Sequence, residues 1–117
     1  MPAADGGTWM WLNCTRTRID TANAGKVVKI LSDEASLARI RSARGFYNFY
    51  LVESTEAPGE LVFITIWENA EDGQAYLASP ECRWVNESIQ EYLVRPLERN
   101  YYEVQIETSM QRESSTG

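Results

Sequence analysis

The 117 residues of this chain include no histidine, and this absence limits the chemistry that the protein can perform. Catalysis by a serine or cysteine with a histidine base is therefore excluded, and so are a histidine ligand to haem and most zinc sites. Acid–base chemistry falls to Asp, Glu, Tyr, Lys or water. Cys14 and Cys82 lie far apart in the sequence without CxxC spacing, which predicts two free thiols.

Two side chains on predicted strands have the chemistry to hold a flat aromatic molecule. Trp67 ends a strongly apolar strand, where its indole can stack on such a molecule while its N–H donates a hydrogen bond. A tryptophan that fills the gap between a sheet and its helices fits the pattern equally well. Asn13 interrupts another apolar strand, and a buried amide must bond either a backbone group or a ligand oxygen. Glu68 and Tyr76 are the two candidate bases.

A pocket for an aromatic substrate needs apolar and aromatic walls. The residues predicted to contact the substrate are Phe49, Phe63, Thr65, Trp84 and Trp11, with Tyr47 as a further aromatic candidate. For Tyr47, Phe49 and Trp84, a place in an ordinary hydrophobic core is an alternative. Arg39, Arg41 and Arg44 either hold an acidic substrate or form a solvated helix face.

Composition favours one domain with a real core, since 44% of the residues are hydrophobic and 11% are aromatic. We expect that domain at 9–108, between a polar lead at 1–8 and a polar tail at 109–117. The net charge of −6 argues against nucleic acid or an anionic membrane as partner. The sequence has no apolar run of about 18 residues and no signal-peptide pattern, so we expect a cytoplasmic protein with no membrane partner.

The segment at 60–68 is the centre of the predicted fold because it is rich in β-branched and aromatic residues. Side chains alternate along a strand, so its even-numbered residues form an aliphatic face and its odd-numbered residues a bulkier one that includes Trp67. Further strands are predicted at 9–19, 46–53 and 101–107. Helices are predicted at 22–42, with a break at 32–34, at 69–78 and at 80–94. The apolar stripe of the first helical region is predicted to run through Val27, Leu31, Ala35 and Ala38.

This order, β-α-β-β-α-β, is typical of the α+β ferredoxin-like fold, a four-stranded antiparallel sheet with its helices on one face. The first and third strands then lie side by side at the centre of the sheet. The other face of the sheet carries Val62, Ile64 and Ile66. We expect a second copy of the chain to cover that face, giving a homodimer.

The sequence at 64–80 reads Ile-Thr-Ile-Trp-Glu-Asn-Ala-Glu-Asp-Gly-Gln-Ala-Tyr-Leu-Ala-Ser-Pro. It resembles antibiotic-biosynthesis monooxygenase-like (ABM-like) domains of the dimeric α/β-barrel superfamily. The order of elements extends the resemblance over 9–107, and Gly45 followed by Phe46 also matches. The resemblance implies two sheets that face each other across a dimer and a pocket between sheet and helices in each subunit.

The same resemblance implies a function and a set of site residues. The haem-degrading branch uses an asparagine, a tryptophan and a histidine; Asn13 and Trp67 match the first two, whereas Tyr76 and Leu77 stand near the third. Haem degradation is therefore disfavoured. The hypothesis is a cofactor-independent monooxygenase of a small aromatic or polyketide-like ligand, with Trp67, Asn13 and Tyr76 as catalytic residues and no cofactor or metal. The alternatives are a non-enzymatic dimeric binding or structural module, and an isomerase or lyase.

Overall fold

The computed structural model describes residues 9–108, and the predicted lead and tail lie outside that range. Its strands are β1 (Trp11–Arg18), β2 (Phe46–Glu53), β3 (Glu60–Trp67) and β4 (Glu98–Glu103). Its helices are α1 (Ala24–Leu31), α2 (Glu34–Arg41), α3 (Ala70–Leu77) and α4 (Pro80–Ile89), with single 3-10 turns at Thr21–Asn23 and Gln90–Tyr92. None of the helices at 9–108 is long and apolar enough to cross a membrane.

The strands form one antiparallel sheet in the order β2-β3-β1-β4, which confirms the predicted ferredoxin-like α+β fold. β1 and β3 are the central pair, as expected. Their register places Trp11 opposite Trp67 and Asn13 opposite Thr65. Residues directly opposite each other project from the same face of a sheet, so Asn13 and Thr65 are neighbours on one face.

Burial alternates along both central strands with the predicted phase. The odd-numbered residues of β1 and β3 are buried, whereas Val62, Ile64 and Ile66 on the opposite face are only partly buried. The helices therefore cover the bulkier face of the sheet and leave the aliphatic face open. This matches the assignment of faces made from the sequence.

The first helical region is divided at 32–33 into α1 and α2, as the sequence predicted. Asp33 caps α2, because its carboxylate accepts a hydrogen bond of 3.3 Å from the backbone N–H of Ser36. The break restarts the helix with a new phase. The buried positions of α2 are therefore Ser36 and Ile40, while Ala35 and Ala38, expected to continue the stripe of α1, are exposed.

The second helical region restarts at the Ser79-Pro80 pair, where the hydroxyl of Ser79 accepts a hydrogen bond from the backbone N–H of Cys82. Cys82 and Ile89 are buried on the inner face of α4. The α-helix ends at Ile89 and passes into the 3-10 turn, so it is shorter than the predicted segment at 80–94.

The last strand lies earlier than the predicted segment at 101–107. β4 begins at Glu98 and pairs with β1 from Arg16 to Trp11. Because β1 begins at Trp11, the ladder ends at Glu103, and one further backbone bond joins Val104 N–H to the carbonyl of Met10. Val104 and Ile106 have strong β-propensity, but no strand within residues 9–108 pairs with them.

The buried apolar residues form two clusters instead of one continuous core. One cluster contains Ile19, Val27, Leu31, Leu61, Phe63 and Ile89, and the other contains Trp11, Ile40 and Trp67. Asn13, Thr15, Thr65 and Ser36 are also buried. A polar patch therefore lies within the interior of this small domain, and such a patch requires an explanation.

Candidate functional site

A small cavity of about 70 Å³ lies between the sheet and the helices, with walls from both hydrophobic clusters. It is small beside the roughly 300 Å³ at which ordinary ligand pockets begin. The polar side chains that line it are Asn13, Thr15, Thr65 and Arg99 from the sheet and Ser36, Tyr76 and Asn86 from the helices. No aspartate or glutamate of the described chain is in the lining.

Asn13 on β1 carries one of two buried side-chain atoms in residues 9–108 that lack a hydrogen-bond partner. The residue is 3% exposed, and its Nδ2 donates a hydrogen bond of 3.0 Å to the hydroxyl oxygen of Thr15. Its Oδ1 accepts none. A buried carbonyl oxygen without a partner destabilises the fold by about 1–3 kcal/mol. A ligand that donates an O–H or N–H to this oxygen would remove that penalty.

The second unpartnered atom, the Oγ of Ser36 on α2, belongs to the same cavity. Ser36 is 8% exposed, and its hydroxyl can either donate or accept a hydrogen bond. Sequence analysis missed this residue because it took the stripe of α1 to continue through α2. The capping residue Asp33 indicates that a new helix starts there, so the buried positions of α2 need not continue those of α1. Both unsatisfied polar atoms therefore lie around one cavity, on opposite walls.

Trp67 lies behind the cavity wall and is not among the residues that line it. Its side chain is 0% exposed, with the ring centroid 5.7 Å from that of Phe46 and 5.1 Å from that of Tyr76. The indole N–H donates a hydrogen bond of 3.0 Å to the hydroxyl oxygen of Thr65. Thr65 does line the cavity, so this bond orients one of its polar groups. Trp67 is therefore connected to the cavity through its hydrogen bond with Thr65.

Tyr76 on α3 lines the cavity, and burial, followed by the nearby Cys82 and Glu81, raises its pKa to about 12. The phenol is therefore neutral at ordinary pH. A neutral phenol is a hydrogen-bond donor and a poor base. The geometry thus favours a donor role for Tyr76 over the role of general base considered from the sequence.

Arg99, Cys82 and Asn86 form a group at one end of the lining that sequence analysis did not assign to the site. The Nη2 of Arg99 and the Nδ2 of Asn86 each lie 3.9 Å from the sulfur of Cys82. Burial raises the pKa of the Cys82 thiol, and Arg99 partly opposes that shift. Arg99 lies opposite Thr15 in the β1–β4 ladder. The predicted strand at 101–107 did not include Arg99, so its place beside Thr15 could not be recognised from the sequence.

The remaining predicted residues divide between cavity, core and surface. Phe49, Phe63 and Thr65 line the cavity. Trp11 lies outside the lining and stacks on Tyr101, with ring centroids 5.2 Å apart. Trp84 is 47% exposed and carries the guanidinium of Arg39 at 5.0 Å from its ring centroid. Tyr47 and Glu68 are exposed, and Arg41 and Arg44 form ion pairs with Glu34 and Asp72.

An open groove of about 590 Å³ runs along the edge strand β2 beside α1 and α2. Leu31, Leu37, Ile40 and Phe49 line both this groove and the cavity. The two spaces therefore share a wall formed by these side chains. Outward movement of Leu37 or Phe49 would join the two spaces.

The unpartnered hydroxyl of Ser36 gives a direct test of the polar lining. We expect Ser36→Ala to raise the free energy of unfolding by about 1 kcal/mol, because it removes an unsatisfied buried group and little volume. Thermal and denaturant unfolding would measure the change. Ser88→Ala is the matched control: Ser88 also lies in a helix, but its hydroxyl donates a hydrogen bond of 2.6 Å to the carbonyl of Val85. Equal effects of the two substitutions would contradict an unsatisfied Ser36.

The fold and site define a class of small α+β domain in which a four-stranded antiparallel sheet and its helices enclose a cavity. Comparison with sequence families makes this specific: the family described as antibiotic biosynthesis monooxygenase (ABM) matches residues 16–88. The chain belongs to that family. No curated protein matches the sequence.

Solved structures confirm the fold at low sequence identity. A candidate antibiotic biosynthesis monooxygenase from Nitrosomonas europaea is 12% identical with a TM-score of 0.74, over 87% of this chain and 96% of that one. Another from Caulobacter crescentus is 10% identical with a TM-score of 0.73, over 85% and 92% of the two chains. A Mycobacterium tuberculosis protein is 20% identical with a TM-score of 0.70, over 86% and 99%.

Proposed function

We propose that this protein is a cofactor-independent monooxygenase of a small aromatic substrate with a phenolic or enolic oxygen. The observation that carries the proposal is the pair of buried, unpartnered oxygen atoms, Asn13 Oδ1 and Ser36 Oγ, around one cavity in a domain of this family. Unsatisfied polar atoms in a small core are costly unless a ligand uses them. Aromatic Phe49 and Phe63 supply apolar wall for the body of the ligand.

The reaction needs few protein groups because the substrate itself supplies the electrons. An electron-rich phenolate or enolate transfers an electron to O₂, and the two radicals combine at carbon. For an activated CH₂ group the balance is complete: CH₂ and O₂ give C=O and H₂O, with both C–H bonds broken and four electrons taken from carbon. The protein contributes orientation, exclusion of water and hydrogen bonds to the oxygen atoms.

Each residue of the proposed site has a role that its chemistry allows. Asn13 accepts a hydrogen bond from a substrate O–H, and Tyr76, as a neutral phenol, donates one. Thr65, whose oxygen already accepts the N–H of Trp67 at 3.0 Å, is free to donate its own proton toward the substrate. A substituted aromatic ring exceeds a cavity volume of about 70 Å³, so binding would displace Leu37 and Phe49 from the shared wall and extend the ligand into the adjoining groove.

Oxygen consumption tests this proposal directly. The purified protein is incubated with a panel of one- to three-ring phenols, including a hydroxylated anthrone with an activated CH₂, and dissolved O₂ is followed together with product. The expected result is one O₂ consumed per carbonyl formed, with no added metal, flavin or reductant. Tight binding without O₂ consumption would favour a non-enzymatic binding module. Turnover that continues without O₂ would favour an isomerase or lyase.

We also propose a homodimer through the open face of the sheet. Val62, Ile64 and Ile66 form a partly buried aliphatic row there, and Tyr50 and Val52 on the neighbouring strand are exposed. A continuous apolar face of this kind favours a self-complementary contact between two copies.

Light scattering should therefore give about twice the mass of one chain. We expect Ile64→Glu to yield a folded monomer, because it places a charge in the middle of the proposed contact. Val28→Glu is the control, since Val28 is an exposed aliphatic residue on α1, on the helical side. A folded wild-type monomer at micromolar concentration, or a dimer unaffected by Ile64→Glu, would refute this interface.

A further inference from the structure

We infer that Arg99 makes the cavity selective for the singly ionised form of a dihydroxylated aromatic ligand, with the ionised oxygen held by Arg99 and a remaining O–H donated to Asn13. The inference rests on the proposed function and names the substrate class of the same site. It starts from the one formal charge in the cavity lining, which is positive.

The guanidinium of Arg99 has no strong acceptor among the described residues. The ion pairs at 9–108 use Arg16, Arg41 and Arg44. The only side-chain hydrogen bond of Arg99 in that range is the weak one to the sulfur of Cys82, at 3.9 Å. A guanidinium has five N–H donors, so most of its hydrogen-bonding capacity is available to a ligand. A neighbouring carboxylate would occupy these donors, but no carboxylate lines this cavity.

The titratable groups around Arg99 do not supply an anion either. Cys82 on α4 and Tyr76 on α3 face the cavity, and burial raises the pKa of each, to about 12 for Tyr76. Both are therefore neutral near pH 7. Glu81 acts on Tyr76 from outside the lining, and the sheet neighbours Asn13 and Thr15 are uncharged. A negative charge beside Arg99 would therefore come from the ligand.

The rest of the lining defines the second oxygen of the ligand. Asn13 Oδ1 lacks a partner and can only accept, so it requires a donor from the ligand. A fully ionised diol would have no proton to give it, and a neutral ligand would leave Arg99 without an anion. A carbon acid or phenol with one ionised oxygen and one retained O–H satisfies both residues. This singly ionised form also transfers an electron to O₂ more readily than the neutral form does, and it keeps one O–H for the hydrogen bond to Asn13.

4-Nitrocatechol is the probe, because its monoanion absorbs visible light and its second O–H is retained. Its absorbance is titrated against pH under anaerobic conditions, free and in the presence of saturating protein. We expect the bound probe to ionise about one pH unit lower than the free probe, which corresponds to roughly tenfold tighter binding of the monoanion than of the neutral form. Arg99→Gln should abolish the shift, and Arg99→Lys should keep part of it.

Arg83→Gln is the matched control, because Arg83 is an exposed arginine on α4 and lies outside the lining; it should leave the shift unchanged. Circular dichroism checks that each variant is folded. The inference is overturned by failure of the wild type to bind the probe at millimolar concentration, by an unshifted ionisation, or by a shift that survives Arg99→Gln. Displacement of the probe by benzoate as readily as by catechol would show a general carboxylate site and would also overturn it.

The two proposals can fail separately. A shift that depends on Arg99 without oxygen consumption by any phenol would remove the oxygenase and keep the monoanion site. Oxygen consumption that is unchanged in Arg99→Gln would keep the oxygenase and remove the role of Arg99.

Discussion

Gly73→Ala is expected to destabilise this protein by about 3 kcal/mol, because the new methyl group would occupy space held by two tryptophans. Gly73 is buried in α3, and a Cβ at that position would overlap the six-membered ring of Trp11 and lie 3.0 Å from Cδ1 of Trp67. Neither ring can move easily. Trp67 is fully buried, and Trp11 is stacked on Tyr101. The melting temperature should therefore fall by at least about 10 °C.

Gly25→Ala supplies the control for that result. Gly25 also lies within a helix, but a Cβ added there would meet nothing within 4 Å. Alanine has the higher helix propensity, so this substitution should stabilise the protein by roughly 0.5–1 kcal/mol. Opposite signs for the two glycines would confirm that close packing of α3 on the tryptophans decides the outcome. A Gly73→Ala variant as stable as wild type would mean that α3 does not contact the sheet as described.

Trp67→Phe is expected to lower the free energy of unfolding by about 2 kcal/mol, since it leaves a void in the core and removes the donor to Thr65. It should also weaken binding of an aromatic ligand, because the hydroxyl of Thr65 would lose its fixed orientation. This second effect is indirect. A tryptophan that stacked directly on the ligand, as considered from the sequence, would instead affect binding more than folding.

A double-mutant cycle with Thr65→Val separates these possibilities. If Trp67 acts through Thr65, the two substitutions should couple by about 1 kcal/mol in ligand affinity, and the double variant should bind no worse than Thr65→Val alone. Trp67→Leu removes more side-chain volume than Trp67→Phe, so it should lower the free energy of unfolding further. Strict additivity in binding would exclude the route through Thr65. An effect on stability alone would assign Trp67 to the core and nothing else.

Alternation of side chains made the centre of the fold predictable from the sequence. Alternation in β3 separated an aliphatic face from a bulkier one, and the order of elements placed β1 beside β3, so that Asn13 was expected on the same side of the sheet as Trp67. Helix boundaries followed from local chemistry, as at Asp33 and at Ser79-Pro80. These signals depend only on neighbouring residues, which is why they can be read without a structure.

The errors came from properties that depend on distant contacts. Val104 and Ile106 have high β-propensity, but a strand ends where its partner ends, and the partner of β4 starts at Trp11. The phase of α2 depended on the geometry of its break, so Ser36 was missed. The depth of a side chain also cannot be read from the sequence. Trp67 lies behind the cavity wall, Trp11 is stacked on Tyr101, and Trp84 lies at the surface.

The division of the interior into two apolar clusters has a consequence for the improvement of this protein by selection. Asn13 and Ser36 lie where a single continuous core would otherwise form, and apolar substitutes at either position would gain stability. A screen for heat resistance would therefore favour early replacement of these two residues, and the resulting variants would lack the polar groups of the proposed site. Thermostability and the proposed ligand binding thus conflict at Asn13 and Ser36, so both properties must be assayed together.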